Sequence, residues 1–135
     1  MQIAEDLDDA HIARLIPQFY AQVRADTLLG PVFNRAIADW PVHLQKLTDF
    51  WSSVMLTTGR YKGQPMLAHM KHQAEITPEM FSRWLALWES TATQCLSPDA
   101  AAAVVSKAHH IATSLQMGLY PSLPPTCAAP VQRRP

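Results

Sequence analysis

The stretch Tyr61–Trp88, YKGQPMLAHMKHQAEITPEMFSRWLALW, decides how the chain reads. It sets one histidine, His69, in a short helical piece bounded by turn chemistry. Gly59 and Gly63 loosen the chain ahead of it. Pro65 opens a helical turn, where its missing N–H is not needed. Thr77 then caps a longer helix, with Pro78 at the first helical position and Glu79 against the positive end of the dipole. His69 therefore sits on a short, separately aimed helix between two long ones. A fold that points one imidazole at something inside would be built this way. The plainer alternative is a half-buried helix histidine with no ligand.

Working outward, helical patterns cover most of the chain. Upstream, Asp8 or Asp9 caps a first helix whose Ile12, Leu15, Ile16, Phe19, Tyr20 and Val23 recur at helical spacing. Pro17 falls inside that pattern and is expected to kink or divide the helix. Tyr20 lies on the apolar face, where its hydroxyl needs a partner, either a backbone carbonyl or a ligand in a cavity. Asp26–Pro31 reads as a turn with Gly30 supplying a permissive backbone. A short helical piece from Pro31 to Ile37 turns Phe33 inward. Asp39 caps a third helix, about Trp40 to Thr58, whose apolar face carries His43, Leu47, Phe50, Trp51 and Val54.

Downstream, the helix from Pro78 to about Leu96 has an inner stripe of Phe81, Trp84, Leu85, Trp88, Ala92 and Cys95. An indole N–H such as that of Trp84 needs an acceptor inside a core. Ser97-Pro98-Asp99 caps the last helix, which runs to about Leu119 on Val104, Val105, Ala108, Ile111, Ala112, Leu115 and Leu119. Strand signals are nearly absent. The expectation is one all-α domain over residues 1–119, with residues 120–135 a proline-rich, disordered tail.

Composition narrows the function classes. The 135 residues fit one domain, and 48% apolar content is enough to build a core. The formal net charge is zero with no basic stripe, so nucleic-acid binding lacks its main electrostatic driving force. No apolar run approaches the roughly 20 residues of a membrane span. The acidic start MQIAEDLDDAH lacks a signal-peptide pattern, and the expected location is cytoplasmic. Cys95 and Cys127 do not make a disulfide framework. Cys95 is expected in the core and Cys127 as a free thiol in the tail.

Several chemistries are missing. There is no HEXXH zinc motif, no Glu-x-x-His pair, no phosphate-binding glycine loop, no CxxC and no nucleophile elbow. His69 and His72 form an H-x-x-H, but two histidines without further ligands make a poor metal site. One inward imidazole and a broad apolar pocket suit haem, with polar donors on the opposite face. Tyr20, His43 and Trp84, from three different helices, are such donors. Buried together without a ligand, they would be hard to satisfy.

The segments FYAQVRADTLLGPVFNRAI (Phe19–Ile37), DWPVHLQKLTDFWSSVML (Asp39–Leu56), GRYKGQPMLAH (Gly59–His69) and ITPEMFSRWLALWEST (Ile76–Thr91) closely resemble the group III truncated haemoglobins. The resemblance runs from about Ile12 to Leu119. It implies a shortened globin fold, a two-over-two helical sandwich around haem b. By position, His69 resembles the proximal iron ligand of a five-coordinate haem. Tyr20, Trp84 and His43 resemble the distal residues that meet the ligand. Phe33, Leu47, Phe50, Lys46, Tyr61 and Trp84 resemble residues that pack on the porphyrin or hold its propionates. Pro17 and His72 depart from the family pattern.

The implied ligands are diatomic gases: oxygen, carbon monoxide and nitric oxide. The implied role is oxygen binding with redox, nitric oxide or peroxide handling rather than bulk transport. A peroxidase-like or nitric oxide-dioxygenating enzyme is the alternative. It would need a separate reductase, because the chain holds no flavin or nicotinamide domain.

Overall fold

Four long helices start where a side chain can cap them. The computed structural model describes residues 7–120, and the expectations for Cys127 and for the proline-rich segment after Tyr120 fall outside the described residues. The helices are α1 (Asp9–Ala25), α2 (Gly30–Ala36), α3 (Trp40–Leu56), α4 (Pro65–Met70), α5 (Pro78–Cys95) and α6 (Pro98–Leu119). Asp8, Asp39, Thr77 and Ser97 accept from the backbone N–H three residues on, opening α1, α3, α5 and α6. Each such cap stabilises its helix by about 1 kcal/mol. α3 stops at Thr57, which takes the left-handed conformation with φ 57°.

Pro17 does not divide the first helix, because α1 runs unbroken from Asp9 to Ala25. Pro17 and Ala13 both lie on the exposed side, so the carbonyl left without a helical donor can turn to water. The turn expected at Asp26–Pro31 occupies Thr27–Leu29, and Gly30 is the first residue of α2. A Cβ there would fall 2.5 Å from the Arg24 carbonyl oxygen, so glycine is needed for the close approach of α2 to the end of α1.

The helices form two packed pairs, α1 with α3 and α5 with α6, joined chiefly through α1 against α5. α2 packs on α1, and α4 packs on α6. The centre is aromatic. Phe19 meets Tyr20, Trp84 and Trp88 edge-on at centroid distances of 4.7, 5.4 and 4.8 Å. Trp88 is fully buried and stacks on Trp51 of α3 at 4.4 Å and on Trp84 at 5.6 Å. Its indole N–H donates to the Val104 carbonyl of α6 at 3.1 Å. One ring thus ties α3, α5, α6 and α1 together, and each aromatic pair adds about 0.5–1.5 kcal/mol beyond area burial.

The apolar face expected for α3 divides in two. Trp51 turns into the core with Trp40, Ser52 and Met55, whereas His43, Leu47, Phe50 and Val54 stay half-buried. That second stripe, at spacings of 4, 3 and 4, is a complete helical face left partly uncovered. Cys95 is likewise half-buried rather than core, with its thiol against Gln18 Oε1 at 3.2 Å. Among the described residues, no helix is long and apolar enough to cross a membrane.

Candidate functional site

The half-covered stripe of α3 begins at His43, which lies near enough to His69 of α4 for a charge on one to act on the other. Burial is the main influence on His43 and pushes its pKa down, and the Lys46 and His69 charges push the same way. His43 is therefore held neutral at pH 7. Its ring meets Trp40 edge-on at 5.9 Å.

On the α4 side, His69 Nδ1 lies 2.7 Å from the Pro65 carbonyl oxygen. A carbonyl can only accept, so this nitrogen carries the proton and Nε2 keeps its lone pair. Among the described residues nothing bonds Nε2. This is the arrangement by which proteins orient a metal-ligating histidine. His72 is placed differently. It lies in the turns after α4, with Nδ1 3.9 Å from the Glu75 carboxylate.

Tyr20 of α1 is 4% exposed. Burial drives its phenol well above the ordinary value, and the nearby Trp84 indole offsets part of the rise. The hydroxyl thus remains protonated at any physiological pH. Among the described residues no backbone carbonyl or other group accepts its proton. Phe33 of α2 and Trp40 of α3 flank the ring at 6.0 and 6.1 Å. The structure links Phe33, Tyr20, Trp40 and His43 through successive ring contacts, sets Trp84 and Tyr20 against Phe19, and leaves Leu47 and Phe50 on the half-buried stripe of α3.

The rim is less specialised. Tyr61 meets Phe50 edge-on at 5.2 Å, and its backbone N–H donates to Ser53 Oγ at 2.9 Å. Burial raises its phenol pKa. Lys46 is exposed one turn after His43. Arg60, a loop cation suited to a carboxylate, is taken by Asp9 in a two-pronged pair at 2.9 Å on each prong.

Sequence patterns did not single out Trp40. It joins Tyr20 to His43, and the Arg24 guanidinium caps its other side at 4.5 Å from the ring centroid. Its position as the first residue of α3 hid it, since no periodicity begins before that point.

An imidazole with one nitrogen committed to backbone, a partly uncovered apolar stripe and a buried phenol with an unspent proton are what the site offers a bound group. The comparisons place it more closely. No protein-family model matches the chain. It is 33% identical over 123 residues to a group 3 truncated haemoglobin of Campylobacter jejuni, covering 86% of this chain and 94% of that protein. It also matches the crystal structure of the group III truncated haemoglobin from Campylobacter jejuni, with a TM-score of 0.78 and 34% identity. That match covers 88% of this chain and 96% of the other. The chain belongs to the group III truncated haemoglobins, and its fold is the shortened globin.

Family membership implies a haem cofactor. The residues present fit one. The stripe of Leu47, Phe50 and Val54 is half-buried beside the core, as are Phe33 and Trp84, as expected where a flat apolar group completes the packing. The Tyr20 hydroxyl is a polar atom that a bound ligand would satisfy.

Proposed function

We propose that the chain holds haem b through His69 and reversibly binds oxygen and other diatomic gases at a five-coordinate iron. Its role would be in redox chemistry or in handling nitric oxide or peroxide rather than in bulk transport. The observation that carries this reading is the 2.7 Å contact of His69 Nδ1 with the Pro65 carbonyl, which leaves Nε2 free to bind a metal. Haem, when bound, supplies an iron centre with affinity for small gases. The protein supplies the rest. Phe33, Leu47 and Phe50 would line the apolar seat, and Lys46 and Tyr61 would hold the propionates. The Tyr20 O–H, whose proton nothing accepts among the described residues, would donate to a small ligand carrying partial negative charge, with the Trp84 indole nearby as a second donor. Such a bond favours retention over release and so favours chemistry over delivery. His43, in the first turns of α3 beside the exposed Lys46, acts mainly on access.

The purified protein is expected to be red, with an intense violet absorption band and an iron–histidine stretching band in its ferrous form. His69→Ala should abolish that stretching band and leave haem loosely held. His72→Ala should leave both intact. The opposite pair of results would move the axial bond to His72 and sink the assignment, and a colourless protein that takes up no added haem would sink the whole reading.

A further inference from the structure

The helix that carries His69 is too short to hold its own direction. α4 spans six residues, whereas isolated helices below about 12–15 residues are marginal in water. What aims the imidazole must therefore be whatever grips α4 and the turns that trail it. Those turns are continuous with the helix. His72 N–H donates to the His69 carbonyl at 2.9 Å, Gln73 N–H to Met70 at 3.2 Å and Ile76 N–H to His72 at 3.2 Å.

Two side-chain hydrogen bonds then join these turns to the end of α6, and they run in opposite directions. Gln73 Nε2 donates to the Leu119 carbonyl at 2.6 Å. The Tyr120 hydroxyl donates to the Ile76 carbonyl. The last carbonyls of a helix have no intrahelical donor, so the Gln73 bond also completes the end of α6. One residue earlier, Met66 of α4 lies over Gly118, where a Cβ would come 2.6 Å from the Met66 sulfur. Gly118, Leu119 and Tyr120 thus meet α4 and its trailing turns at three successive points. The residues joined are 44 and 46 apart in sequence, so this is a tertiary clasp and not a local turn.

We propose that Gln73 and Tyr120 are positioning residues for the iron–imidazole bond: by clasping the turns after α4 to the end of α6, they set the pose of His69. The proposal rests on the assignment of His69 as the axial ligand. Neither residue acts on the iron directly; both act through α4.

The test uses the full-chain haem-bound protein and three variants. Gln73→Met keeps the length and removes the donor. Gln73→Lys restores a donor that can reach the same carbonyl. Tyr120→Phe removes only the hydroxyl. Two quantities are read: the iron–histidine stretching band of the ferrous, ligand-free protein by resonance Raman, and the rate of haem transfer to an excess of a competing apoglobin. Gln73→Met and Tyr120→Phe are each expected to lower and broaden the band and to speed haem transfer roughly fivefold, the effect of one ordinary hydrogen bond. Gln73→Lys should return both toward the parent values. A band that stays in place in Gln73→Met and Tyr120→Phe, with melting temperature alone reduced, would overturn the clasp as a positioning device. His69→Ala measured alongside separates the two ideas. Loss of the band there with no change in the clasp variants sinks the clasp alone, whereas retention of the band sinks the His69 assignment and the clasp with it.

Discussion

The two faces of the site are held by different means. The Tyr20 face is built from long helices whose rings lock one another. Phe19, Trp84 and Trp88 meet at 4.8–5.6 Å, and Tyr20 is wedged against Phe19 at 4.7 Å. The His69 face rests on a six-residue helix held by tethers at both ends. Ahead of it, Arg60 grips Asp9 and reaches Ser52 Oγ at 3.1 Å, and Ser52 Oγ donates to Asp9 at 2.9 Å. Behind it, Arg35 of α2 holds Glu75 at 2.8 Å, and Gln73 and Tyr120 hold the end of α6. Packing fixes the donors that would meet a ligand. A few polar bonds, several of them at the surface, fix the group that would meet the metal. Packing contributes more per residue and is insensitive to pH and salt. Surface tethers are individually weak and respond to both.

The comparison can be broken from the packed side first. Trp88→Ala removes the ring shared by α3, α5 and α6 and frees the Val104 carbonyl. The expected cost is about 3–5 kcal/mol of unfolding free energy, read by denaturant titration. A loss under about 1 kcal/mol would mean that the tryptophan column does not organise this face. A smaller effect is expected from Tyr20→Phe, which removes one donor at nearly constant volume. Oxygen dissociation should accelerate roughly tenfold if about 1.4 kcal/mol of ligand stabilisation is lost. His43→Leu should change association rates more than dissociation. Unchanged dissociation in Tyr20→Phe, together with strong acceleration in His43→Leu, would reverse the roles assigned to the two residues.

The tethered side is tested by acid. Arg60 first, and then Ser52, hold the Asp9 carboxyl below its ordinary value of 3.8. A carboxyl lowered in the folded state contributes its stabilisation fully above the unfolded pKa and loses it as pH falls toward the folded one. The α1–loop tether should therefore loosen below about pH 4, and Asp9→Asn should flatten the acid limb of a haem-retention profile. Asp8 and Glu75, lowered by His11 and Arg35, would preserve part of that limb. An acid limb identical in Asp9→Asn would remove the tether from the account. The smallest effect is expected from deleting residues 121–135, a proline-rich segment with little periodic apolar pattern. Melting temperature and gas binding should barely move, and a fall of several degrees would show that this segment docks on the domain.

The sequence by itself determined the helices and where they start, because those features are local. Asp8, Asp39, Thr77 and Ser97 each satisfy an N–H only three residues away, so the chain carries its caps in plain view. The short helix around His69 and the likeness of four segments to one globin group were legible for the same reason. The effects of Pro17 and Gly30 were less legible because they depend on neighbours: the exposure of Ala13 in one case, the Arg24 carbonyl in the other.

Only the tertiary structure decided which nitrogen of His69 is free, and that Trp51 leaves the stripe it shares with Phe50 in sequence. It alone brought Arg60 to Asp9, 51 residues away, and Gln73 to Leu119, 46 away. Periodicity reports which face of a helix is apolar. It does not report what that face touches, since a contact between distant residues is fixed by how whole helices pack and by the cost of closing the chain between them.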